Sequence, residues 1–114
     1  MVGYMGLSVV SINDLEMVRS VGKLKTYDAF LAFKIDLENI LPEFLAHNEL
    51  LRLYFIQAYP LSSYVLGYLF KLRSVDKITI EIIVDDVRLF MFFDEIDMID
   101  EFKIKIMEDK LGTL

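Results

Sequence analysis

Between Leu53 and Phe70 the chain carries no charged residue; the segment 50–72, LLRLYFIQAYPLSSYVLGYLFKL, holds only Arg52 and Lys71. A run of this length stands at the threshold for crossing about 30 Å of hydrocarbon as one helix. Its fate therefore constrains everything else. Pro60 lies at its centre, and the residue before it, Tyr59, is pushed out of helical geometry. Ser62 has the chemistry to cap a new helix. In that helix Ser63, Gly67 and Lys71 fall on one side, a stripe that a lipid-facing helix does not need. The pattern predicts two amphipathic helices, 49–59 and 62–72, each too short to span. A membrane-associated protein inserting part of 50–72 is a rival reading, because proline is tolerated in spanning helices.

The flanking patterns complete a fold. Residues 2–10 are apolar and β-prone, a first strand. Ser11 and Asp14 resemble a capping box, with Ile12, Leu15, Val18 and Val21 following on one side, so 12–21 reads as a helix closed by Gly22. From Tyr27 to Ile35 the apolar residues alternate, which predicts a strand. Asp36 then caps a helix with the stripe Leu37, Ile40, Leu41, Phe44 and Leu45, kinked or started by Pro42. KITIEIIV (77–84) and VRLFMFF (87–93), separated by Asp85-Asp86, read as a β-hairpin. In the tail, acidic residues precede basic ones and Glu101 stands four before Lys105, which favours a helix at 95–110 over a strand.

The expectation is a single α+β domain over 1–114. It has a mixed or antiparallel sheet of about four strands, with a C-terminal β-hairpin (77–84/87–93), packed on several helices. The alternative is an α/β arrangement with a β-α-β start, in which 2–10, 12–21 and 27–35 form a right-handed crossover.

Composition bears on partners. Hydrophobic residues make up 55% of the 114, against about 45–50% in ordinary domains. A chain this small has limited interior, so surplus apolar surface should meet a second copy, another protein or lipid. The net charge of −6 argues against nucleic acid, which demands a positive field. With no cysteine, disulfides, thiolate nucleophiles and zinc–thiolate sites are excluded. Met1–Val10 is apolar but lacks the basic start of a secretory signal.

Motifs for chemistry are missing. The glycines at 3, 6, 22, 67 and 112 form no phosphate loop, and no nucleophile elbow occurs. The acidic residues Asp85, Asp86, Asp94, Glu95, Asp97, Asp100 and Glu101 match no calcium-loop spacing. His47, the single histidine, adjoins Glu49, but near neighbours on a helix do not face each other. No catalytic, cofactor-binding or metal-binding residue is therefore assigned. The expected function is a non-enzymatic protein-interaction module, homo-oligomeric, cytoplasmic and without cofactor. On the hairpin reading Ile83, Phe90 and Phe92 project on one face with Arg88 and Glu81 at the rim, a candidate interface. The alternatives are a small-molecule- or nucleotide-binding or hydrolytic domain using His47 and carboxylates, and the membrane-associated reading through 50–72.

Overall fold

The computed structural model describes residues 3–107. It is a small α+β domain with three helices and a five-stranded mixed sheet. The chain opens with a hairpin, β1 (Gly6–Ile12) and β2 (Leu15–Val21), in which Ile12 faces Leu15 across a two-residue turn. Asn13 and Asp14 supply that turn with φ of 52° and 65°, the backbone twist that tight hairpins prefer. The chain then alternates helix and strand. α1 (Tyr27–His47) is followed by β3 (Leu51–Ile56), α2 (Ser63–Ser74), β4 (Ile80–Val84), α3 (Val87–Glu95) and a two-residue β5 (Lys105–Ile106).

Spatial order follows chain order, β1-β2-β3-β4-β5, and among the described residues only the β1–β2 pair is antiparallel. Each crossover thus steps to the adjacent strand in the same direction. Right-handed crossovers then place all three helices on one face of the sheet. Packing agrees. Phe33 and Leu37 of α1, Val65 and Leu69 of α2, and Leu89 and Phe93 of α3 share one buried cluster with Val18, Leu53, Phe55, Ile82 and Val84. The other sheet face carries a smaller cluster, Met17, Val21, Tyr54, Ile56 and Ile83, with Val10, Ile12 and Met107 beside it.

Several expectations are corrected. The segment 12–21 is half of a hairpin, not a helix. The alternation over 27–35 belongs to the first half of α1, where Phe30, Phe33, Leu37, Leu41 and Phe44 form the buried stripe. Thr26 caps it, accepting from the Ala29 N–H at 3.1 Å, and the helix continues through Pro42. Residues 51–56 are the central strand β3, almost wholly buried, so its continuous apolar run carries no strand period. The 77–84/87–93 hairpin is not formed. β4 is there, but Asp86 caps a helix instead of turning a hairpin, its carboxylate accepting from the Arg88 N–H at 2.8 Å. The expected 95–110 helix is absent over the described part of that range: positive φ at Asp97 and Lys103 breaks it into turns before β5, and 108–110 lie outside the described residues. No helix among the described residues is long and apolar enough to cross a membrane. Segment 50–72 is instead a strand, a loop with a cis Tyr59–Pro60 bond, and most of α2.

Candidate interaction surface

Because β2, β3 and β4 are parallel and each leads into a helix, the first turns of α1, α2 and α3 gather at one end of the domain. The loops that precede them are tied together. Ser62 N–H donates to the Leu24 carbonyl at 3.0 Å, and Leu24 bridges Leu61. Gln57, at φ 53°, donates its N–H to the Asp85 carboxylate at 3.1 Å. Ser62 occupies the α2 N-cap position, as the sequence suggests, but its side chain makes no cap bond.

Aromatic and arginine side chains crown this end. Tyr27 opens α1 and Tyr64 stands in the first turn of α2. Their rings meet edge to face at 4.9 Å, and both are about half exposed (51% and 52%). Phe30 anchors them from below, stacked on Tyr64 at 5.8 Å and against Tyr68 at 5.9 Å. In α3, the Arg88 guanidinium lies 4.7 Å from the centre of the Tyr59 ring, a cation–π contact. It also grips Asp86, with Nη2 to Oδ2 at 2.7 Å. That hydrogen-bonded grip holds the Asp86 carboxyl below the usual carboxylate range. Tyr59, Arg88, Met91, Phe92 and Glu95 line a shallow cleft of about 220 Å³. Val87 and Met91 stand exposed beside it.

Of the four candidate interface residues, Arg88 and Phe92 reach this cleft. Phe90 turns toward the main core, and Ile83 is buried on the far sheet face. The four do not share a surface, because α3 replaces the second hairpin strand. Glu81 does not reach Arg88 either; it pairs with Arg52 at 3.2 Å and Lys105 at 3.6 Å. From sequence alone Tyr27, Tyr59 and Tyr64 carry no interface role. Tyr27 and Tyr64 stand at loop-to-helix junctions, a signal hidden where Tyr27 reads as a strand residue, and Tyr59 lies in the loop before α2.

His47 lies exposed at the end of α1, bordering an open groove of about 320 Å³ with Val9, Glu16, Asn39, Ile40, Glu43 and Phe44. Its carboxylate neighbours in the groove are Glu16 and Glu43, not Glu49, and Glu16 is engaged by the Asn48 amide at 3.0 Å. No group of three metal-ligating side chains occurs among the described residues. No family model, no curated protein and no solved structure matches the chain.

Proposed function

We propose that the protein is a non-enzymatic interaction module, homo-oligomeric and cytoplasmic, that receives a protein partner on the end where its helices begin. The observation that carries this reading is the exposed Tyr27–Tyr64 pair at the end of the domain that also holds the Tyr59–Arg88 contact. Tyrosine, methionine and arginine are the residue types enriched where proteins meet, and such anchors dominate binding energy. Rings pre-packed on Phe30 lose little freedom when a partner covers them. The test is quantitative affinity capture with the wild-type chain, a Tyr64→Ser/Arg88→Ala variant and a Lys77→Ala control. One partner should be retained by wild type and control and lost by the double variant. Identical captured sets from all three would refute the surface.

The groove beside His47 favours a second reading, a small-molecule or hydrolytic site in which His47 acts with Glu16 and Glu43. A melting screen against nucleotides and divalent cations separates the two, since a ligand of the folded state raises Tm. The interaction reading expects no shift that His47→Ala removes.

A further inference from the structure

β2, β3 and β4 are paired on both sides, whereas β1 is paired only with β2. Among the described residues its outer edge has no strand beside it. The two-residue turn makes Ile12 and Leu15 a hydrogen-bonded pair, so Val10 and Ser8 also bond inward. Leu7, Val9 and Ser11 then point their N–H and C=O groups outward. Proteins ordinarily blunt such an edge with charge, proline or brevity. β1, GLSVVSI, has seven residues, no charge and no proline. The opposite edge is blunted: β5 has two residues, one of them Lys105, with Lys103 next to it.

We infer that β1 is the self-association edge, two copies pairing β1 to β1 antiparallel about a two-fold axis at Val9, so that one sheet runs through both. This rests on the homo-oligomeric part of the proposed function and names its surface. Val9 is the midpoint of Gly6–Ile12, so the strand is its own complement: Val9 meets its equivalent, and Leu7 meets Ser11 of the second copy. Each copy carries −6, yet an uncharged strand brings no like charges face to face across the seam. On the helix side Val9 lines the groove beside α1 with Ile40 and Phe44 and with the polar Glu16, Asn39, Glu43 and His47, and a second Val9 would approach the Val9 side of it. With one long open edge among the described residues, the assembly closes at two copies instead of growing.

Sedimentation of the full chain at micromolar concentration should give twice 13.3 kDa. Val9→Pro leaves the β1–β2 bonds intact, because the Val9 N–H points outward, and Val9→Lys adds charge at an exposed position. Both should weaken the dimer by roughly a hundredfold, the worth of a few net hydrogen bonds, while the monomer stays folded and Tm falls only by the stabilisation that dimerisation supplies. The chain has no cysteine, so Val9→Cys supplies one thiol per copy, and oxidation should give a covalent dimer. A monomeric wild type overturns the homo-oligomeric reading and this inference together. A wild-type dimer that survives both Val9 variants and yields no Val9→Cys crosslink overturns only the β1 edge. Larger polymers overturn the closed pairing.

Discussion

Gly22 shows how a single residue holds the hairpin to the rest of the sheet. It follows β2 at φ 102°, a conformation that side chains avoid, and donates its N–H to the Ile56 carbonyl at 2.8 Å. A Cβ there would run into the Gly3 carbonyl. Gly22→Ala should therefore destabilise the fold by about 2 kcal/mol or more, read by urea melts. A loss below about 0.5 kcal/mol, ordinary for a surface site, would contradict the close approach. Asp86 makes a different residue-scale case. Its carboxyl is held low by Arg88, so its contribution is full above the ordinary Asp value near ~3.9 and is lost as pH falls through the lowered one. Asp86→Ala should cost about 0.5–2 kcal/mol at pH 7 through the lost α3 cap. The gap to wild type should narrow in acid melts near pH ~2; a gap independent of pH would mean the carboxylate is not the capping group.

At the scale of elements, two tyrosines tie helices to their neighbours through carboxylates of α1. The Tyr4 hydroxyl donates to Asp36 at 2.6 Å, and Tyr68 of α2 donates to Glu38 at 3.5 Å. Burial first, then the adjacent carboxylate, raises both phenols well above their usual range. The folded state thus favours the neutral phenol. Its stabilising contribution is intact below the ordinary tyrosine value near ~10 and is lost as pH rises beyond it. A Tyr4→Phe/Tyr68→Phe variant should show a flatter alkaline limb in Tm against pH; identical slopes would exclude these contacts as the cause. The same elements explain what was legible beforehand. The start of α2 at Ser62–Ser63, the core stripe in the second half of α1 and the strand β4 could be read because each shows one period and one boundary signal. The tight hairpin exists, but at Asn13-Asp14, where both residues take positive φ; at Asp85-Asp86 the aspartate was a helix cap. In Val87–Phe93 the alternating set Val87, Leu89, Met91 and Phe93 contains Leu89 and Phe93, which also stand about one helical turn apart. Only the burial of Leu89 and Phe93, with Val87 and Met91 exposed, separates the two periods. The aromatic end was illegible for another reason: Tyr27 meets Tyr64, and Arg88 meets Tyr59, only after the crossovers through α1 and α2 bring their loops to one end.

For the whole molecule, charge and topology act together. A dimer of chains at −6 each assembles against its own field, and added salt screens that repulsion. The proposed dimer should therefore tighten as salt rises from about 20 to 200 mM, the range over which the Debye length falls from about 20 to about 7 Å. Weaker association at higher salt would point to a seam built on ion pairs, not on β1. The sequential strand order has a consequence for synthesis. As the chain leaves the ribosome, the β1–β2 hairpin forms from adjacent residues, and each later strand arrives to find its one neighbour already in place. No strand must be threaded between two that have already paired. The growing sheet keeps a single advancing edge while α1, α2 and α3 are added in turn to one face, so nascent chains halted after β3 or β4 should be shortened forms of the final sheet rather than rearranged ones.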